Sequence, residues 1–233
     1  MRFLTELPKT YTGELVLGVA TTTLDDGGEV TGTWDMGHVE LADLQRAAEA
    51  LTGPILQVPP MVSAVRVGGR RLHELARQGI EVERQARPVT VHRLEVSRAG
   101  GAWGIDVTCS SGTYVRVLAA DIGTAVGGGA HLRNLRRLAI GSFTVEGAAT
   151  LDQIEADPGA AVISPLDALV DYEVVRVGAE VAEFVGYGRK LSAEALGAHG
   201  PGPWAIADEL GRLLAVYEAA EGGVARPAVV LAN

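Results

Sequence analysis

A single cysteine, Cys109, stands in this chain of 233 residues. That excludes an intramolecular disulfide framework and any zinc site built mainly on thiolates, and it fits a reducing compartment. No apolar run approaches the roughly 20 residues needed to span a bilayer. The opening Met1-Arg2-Phe3-Leu4 runs at once into Glu6 and Pro8 rather than into the apolar core of a signal peptide, so a cytoplasmic location is expected. Internal repeats and low-complexity tracts are also missing. Hydrophobic residues make up 47% of the chain and charged residues 21%, ordinary usage for a folded protein. The length suits one large domain, or a medium domain followed by a small one.

The net charge of -9 argues at first against a nucleic-acid partner, since phosphate binding draws on Lys and Arg. The average conceals a segregation. Basic against acidic residues number 3 to 9 over residues 1–60, 12 to 6 over 61–140, and 5 to 14 over 141–233. A basic middle between acidic flanks is the sequence footprint of a polyanion-binding face on an otherwise acidic protein. All twelve central cations are arginine, the residue suited to bidentate phosphate contacts and to stacking on bases. Scattered, solvated surface charge is the plainer alternative.

Periodicity gives a coarse plan. Residues 10–18 alternate as a strand, Asp25-Asp26-Gly27-Gly28 marks a turn, and a second short strand follows over 29–32, together a hairpin. Leu41, Leu44, Ala48 and Leu51 recur at helical spacing before the stop Gly53-Pro54, which predicts a helix over 40–51. Pro59-Pro60 removes two ladder donors, so 57–64 is a shaped loop. Gly68-Gly69 is a turn, Leu72 and Leu75 belong to a short helix ended by Gly79, and strands follow at 89–96 and 105–109. Ser110 to Thr113 opens a helix over 114–126, broken by Gly127-Gly128-Gly129. Residues 131–137 then read as a basic helical turn or short helix, and 140–145 as extended chain. Beyond a composition shift at Asp157-Pro158-Gly159, short apolar runs between Gly-rich turns predict a small β-rich domain.

Three constellations carry chemistry. Lys9-Thr10-Tyr11 precedes the first strand, where a tyrosine equally serves packing. Gln57-x-Pro-Pro-Met-x-Ser-Ala leads into Gly69-Arg70-Arg71-Leu72 and an arginine-studded helix, suited to lining an RNA groove or simply to a salt-bridged helix on a fixed loop. The third is Ser111-Gly-Thr-Tyr-Val-Arg116 with Gly129-Ala-His-Leu-Arg-Asn-Leu-Arg-Arg137 downstream. It puts Tyr114 and Arg116 at a helix N-terminus, where anions are favoured; alternatively Tyr114 packs inward and Arg116 pairs with Asp121.

These blocks, with Glu74-Leu-Ala-Arg-Gln-Gly79 and Ala86-Arg-Pro-Val-Thr90, stand in one order, and in that order the chain resembles the TruB-type tRNA pseudouridine-55 synthases up to about Phe143. Its C-terminal part is similar, more weakly, to that family's PUA-like RNA-binding domain. The resemblance implies isomerisation of a uridine in the T arm of tRNA, with the base turned out of its stack at a cost of a few kcal/mol. It implies a uridine pocket of Tyr11, stacking on the base, with Tyr114, Arg116 and Leu135, Arg116 also holding the reacting aspartate. The RNA contacts expected around it are Arg66, Arg70, Arg71, His131, Arg136 and Arg137.

The family's aspartate lies in a Gly-Thr-Leu-Asp-Pro-type loop upstream of the Lys-x-Tyr motif, and Glu6 is the only acid before Tyr11. Thr23-Leu24-Asp25-Asp26 echoes that loop but sits downstream, in the hairpin turn, so the catalytic role is not carried to Asp25. The expectation is therefore an α+β protein with a mixed, mainly antiparallel sheet. Residues 1–157 would be a synthase-type domain incomplete at its N-terminus, 173–233 a PUA-like domain. The partner would be the T-arm stem-loop of tRNA, with no cofactor, metal, membrane or protein partner evident. A non-catalytic tRNA-binding protein is the alternative.

Overall fold

The computed structural model describes residues 2–231, without the side chain of residue 99. It contains helices and mainly antiparallel sheets in two compact units, one up to Glu146 and one from Gly147.

The first unit begins with helix α1 (Arg2–Glu6) and strand β1 (Lys9–Leu17), followed by a hairpin of β2 (Val19–Thr21) and β3 (Val30–Thr33). Helix α2 (Leu41–Ala50) leads to β4 (Gly53–Gln57). An arm then carries β5 (Arg66–Val67), β6 (Arg70–Arg71) and helix α3 (Leu72–Ala76). The long pair β7 (Arg87–Ala99) and β8 (Ala102–Cys109), helix α4 (Val115–Ala125), β9 (Ala130–Ile140) and β10 (Phe143–Thr144) complete it. Six strands form one antiparallel sheet in the order β10-β9-β1-β8-β7-β4.

Alternation decides which face is covered. Ile105, Val107 and Cys109 of β8 are buried while the residues between them are only partly so, the mark of a sheet with one face on the core. In β7 the buried set Val89, Val91, Leu94, Val96 skips a step after Val91, where the pairing with β8 shifts register; the extra residue of a bulge keeps the apolar set on one face. Leu44, Ala47 and Ala48 of α2, and Val115, Leu118, Ala119 and Ile122 of α4, pack against that face, at the spacing that gives a helix one apolar stripe.

Two expectations are corrected here. The first strand does not pair with residues 29–32: Gly18, at φ +81, turns the chain so that β2 pairs with β3 instead. A Cβ at Gly18 would lie 2.6 Å from the Trp34 carbonyl oxygen, so both the turn and the close approach require glycine. Residues 131–137 are not helical but form the middle of β9, paired with β1 from Leu17↔Ala130 to Lys9↔Ile140. The ladder with β1 gives partners to backbone groups that one isolated helical turn would leave open. Its register shifts twice, and Asn134 takes φ +52, so the strand lacks the clean alternation by which strands are recognised.

The second unit starts with helix α5 (Leu151–Ala156), where the Thr150 hydroxyl accepts from the Gln153 amide at 3.3 Å and Gln153 reaches back to the Thr150 amide at 2.8 Å, a reciprocal cap. Residues 167–169, beyond this helix, form a 3-10 turn. Strand β11 (Glu173–Arg176), helix α6 (Ala179–Gly186), β12 (Leu191–Ser192), helix α7 (Ala193–Leu196), β13 (Trp204–Ala207), β14 (Leu213–Ala219) and β15 (Val224–Val230) follow. They build a five-stranded sheet in the order β11-β13-β14-β15-β12, parallel only between β11 and β13. Its core is Val175, Val185, Trp204, Ile206 and Tyr217 with their neighbours, and the Tyr217 hydroxyl donates to the Arg189 carbonyl at 2.8 Å.

Leu118 is fully buried between α4 and the sheet. Leu118→Ala is expected to destabilise the first unit by about 2–5 kcal/mol, the transfer and cavity cost of a buried leucine. Urea unfolding followed by circular dichroism reads this, and a midpoint equal to wild type would contradict the packing described.

Candidate nucleic-acid site

A cavity of about 390 Å³ opens where β1, β9 and the start of α4 meet the loop after β2, lined by Tyr11, Asp25, Asp26, Thr113, Tyr114, Val115, Arg116, Leu132, Arg133, Asn134 and Leu135. The four side chains expected to form a uridine pocket, Tyr11, Tyr114, Arg116 and Leu135, therefore lie on one concavity although they come from three elements.

Tyr11 is held by the sheet, opposite Val107 of β8 and Arg137 of β9. Burial pushes its phenol above the ordinary tyrosine value, Cys109 adds to the shift, and the Arg137 guanidinium opposes it. Leu135 is 48% exposed, an apolar side chain facing water at the cavity rim. Beside it, Glu14 accepts from Arg133 at 2.6 and 2.9 Å and from Asn134 at 2.9 Å. Asn134 foremost and then Arg133 hold the Glu14 carboxyl below its usual value.

Tyr114 occupies the N-cap position of α4 without a side-chain cap of its own. Gly112, at φ +85, makes the turn that brings the chain in. The backbone of Tyr114 is held by the loop-leading residue of the Gln-x-Pro-Pro motif: Gln57 Oε1 accepts from the Tyr114 amide at 2.7 Å, and Gln57 Nε2 donates to the Tyr114 carbonyl at 3.2 Å. Only 3% of Gln57 is exposed.

Arg116 is the hub. Its Nη1 donates to Asp25 Oδ2 at 3.1 Å and to the Thr23 carbonyl at 3.3 Å, and its Nη2 donates to the Val62 carbonyl. The pairing with Asp121 considered from sequence is replaced by this one. The other Asp25 oxygen accepts from the Thr23 hydroxyl at 2.5 Å and the Gly27 amide at 3.2 Å. Leu24, at φ +63, and a bridge between Asp25 and Leu132 fix the loop against β9. The Asp-Asp-Gly-Gly stretch is thus a turn, as its composition suggests, and also the counter-charge of Arg116. A carboxylate engaged through both oxygens is a positioning group in this arrangement. Sequence reasoning missed this partnership and the Gln57 clamp; nothing local signals either.

The expected RNA contacts divide. Arg66, Arg70 and Arg71 are exposed on the β5–β6 arm, with Arg70 donating to Gln78 at 2.7 Å. Arg136 and Arg137 are exposed along β9. His131 differs from these arginines: it is 8% exposed, and its Nδ1 lies 2.9 Å from the Val19 carbonyl. The strand path of β9 turns its ring inward, where a helix would have presented it with the arginines. Among the described residues, no three His, Cys, Asp or Glu side chains gather as metal ligands would.

The site is thus a cavity on an antiparallel α+β sheet, with two arginines in its lining, Arg116 paired with Asp25 and Arg133 with Glu14. Family models assign the particular lineage. "TruB family pseudouridylate synthase (N terminal domain)" matches residues 1–115 and "tRNA pseudouridylate synthase B C-terminal domain" matches residues 116–171. The tRNA pseudouridine synthase B of Symbiobacterium thermophilum is 47% identical over 184 residues, covering 77% of this chain and 61% of that protein. That of Rhodococcus jostii is 41% identical over 222 residues, covering 93% and 72%. The chain belongs to the TruB family of pseudouridylate synthases. In fold it is similar to a chain of the Cbf5-Nop10-Gar1 complex crystal structure (TM-score 0.67, 22% identity, 97% of this chain and 67% of that one). An H/ACA RNP bound to a substrate RNA containing 2'-deoxyuridine is similar at TM-score 0.66 and 19% identity, over 100% of this chain and 68% of that one.

Two outcomes follow from the site. Asp25→Asn leaves a mostly covered guanidinium without its anion and is expected to cost about 1–2 kcal/mol, discounted for partial solvent access; unchanged urea stability would show that the pair adds nothing to the fold. The folded state favours the protonated phenols of Tyr11 and Tyr217, both raised by burial. Their contribution is complete below the free tyrosine value of about 10 and is lost as pH rises through the folded values. Stability should fall above about pH 10, and Tyr11→Phe should lessen that fall, read by thermal melts alongside tyrosinate absorbance.

Proposed function

We propose that this chain binds tRNA and takes a uridine of the T arm into the cavity beside Tyr11, as the base-receiving part of a tRNA pseudouridine-55 synthase. The observation that carries the reading is the convergence of Tyr11, Tyr114, Arg116 and Leu135 on one cavity, in a chain of that family. The isomerisation breaks the C1′–N1 glycosidic bond and joins C1′ to C5 of the same base, with a proton leaving C5 and one taken up at N1. The base must therefore leave its stack and turn within an enclosed space, at an unstacking cost of a few kcal/mol. Tyr11 offers a stacking surface worth about 1–3 kcal/mol per base, and Leu135 offers apolar contact at the rim. Arg116, already paired with Asp25, supplies a fixed positive charge for a reacting carboxylate. Arg66, Arg70, Arg71, Arg136 and Arg137 serve the phosphate backbone, contacts that position without specifying. The C-terminal unit, read as PUA-like, adds a second RNA-binding surface.

Incubation of the chain with a T-arm stem-loop RNA, scoring binding and pseudouridine in the same tubes, tests this. Binding should weaken steeply with salt through counterion release; joint replacement of Arg66, Arg70 and Arg71 by Ala should lower the slope of log affinity against log salt by about 3, roughly 1 for each phosphate left without its arginine. A flat salt response would sink the RNA reading. Product formed by this chain alone would assign the reacting carboxylate to Asp25 or Asp26, separable by single Asn replacements.

A further inference from the structure

We infer that Gln57 is a positioning residue for the uridine cavity: through its two hydrogen bonds to the Tyr114 backbone it sets where the Tyr114 and Arg116 side chains stand. The inference deepens the reading of the cavity as a uridine site and rests on it. Its ground is an anomaly at the start of α4. Helices are usually opened by Ser, Thr, Asp or Asn, whose side chains accept from first-turn amides. Here the N-cap is Tyr114, which has no side-chain cap bond and whose ring lines the cavity. The presentation of an aromatic ring and the capping of the helix compete for one position. A residue 57 positions away in sequence fixes the backbone of that position instead, with Gln57 accepting from the Tyr114 amide at 2.7 Å and donating to its carbonyl at 3.2 Å.

The amide side chain is matched to that task. One glutamine carries both an acceptor and a donor on a planar head, so it can pin both polar groups of one residue and fix the chain in translation and rotation. Both ends of the bond are stiff: Gln57 ends β4 in the sheet and is 3% exposed. Two residues beyond Tyr114, Arg116 reaches back to the carbonyl of Val62 in the loop that Gln57 opens. The start of α4 is therefore tied to residues 57–62 at both places, and a shift of Tyr114 displaces the arginine that pairs with Asp25.

The test compares affinities for two T-arm stem-loops, one with uridine at the target position and one with an abasic ribose there, in wild type, Gln57→Met and Gln57→Glu. Wild type is expected to prefer the uridine RNA about tenfold, from stacking of the flipped base. Gln57→Met, which keeps the length but neither hydrogen bond, should bring that ratio towards one while leaving affinity for the abasic RNA and its salt dependence unchanged. Gln57→Glu should restore the preference at about pH 5.5, where the introduced carboxyl, raised by burial, is protonated and can both donate and accept, and lose it on ionisation towards about pH 9, relative to wild type at each pH. A wild-type ratio of one would overturn the uridine reading itself. A tenfold wild-type ratio retained by Gln57→Met, or a Gln57→Met loss that falls equally on the abasic RNA, would overturn only the assignment of Gln57.

Discussion

A guanidinium is charged at every accessible pH and cannot be taken from water without partners; the site is organised around meeting that condition for Arg116. Its side chain is 19% exposed, and its donors are directed to Asp25, the Thr23 carbonyl and the Val62 carbonyl. Three stretches far apart in sequence are thereby brought to one point: the turn after β2, the loop after β4 and the first turn of α4. The unusual backbone of Leu24 and the Thr23–Asp25 contacts follow from it, since the turn must aim a carboxylate inward while closing on itself.

The arginines of the first unit differ in what holds them. Arg66, Arg71, Arg136 and Arg137 are exposed, whereas Arg133 is committed to Glu14 and Arg93 to Glu95.

Much of this is legible in the sequence, and the failures have physical causes. The helix over Leu41–Ala50 and the strands around Val89–Val96 and Ile105–Cys109 show themselves through spacing, because each has one apolar side. The stretch from His131 to Arg137 does not, because bulges and the left-handed Asn134 scramble its alternation, and a basic run after three glycines looks like a helical turn. His131 is misplaced by sequence reasoning for the same reason: its direction depends on the element it belongs to. Tyr11, Tyr114, Arg116 and Leu135, which line one cavity, are singled out through family motifs rather than from local pattern. The links Gln57–Tyr114 and Asp25–Arg116 span 57 and 91 positions, and only tertiary structure can reveal such pairings.

Strand β1 lies inside the six-stranded sheet, hydrogen-bonded on one side to β8 and on the other to β9. Tyr11 therefore stands on the stiffest ground the fold offers, while the opposite walls of the cavity are a turn, a loop and the first turn of a helix. The cavity is built like a vice with both jaws held: the sheet fixes the plane of Tyr11, and the hydrogen bonds of Gln57 and Arg116 clamp the wall that faces it.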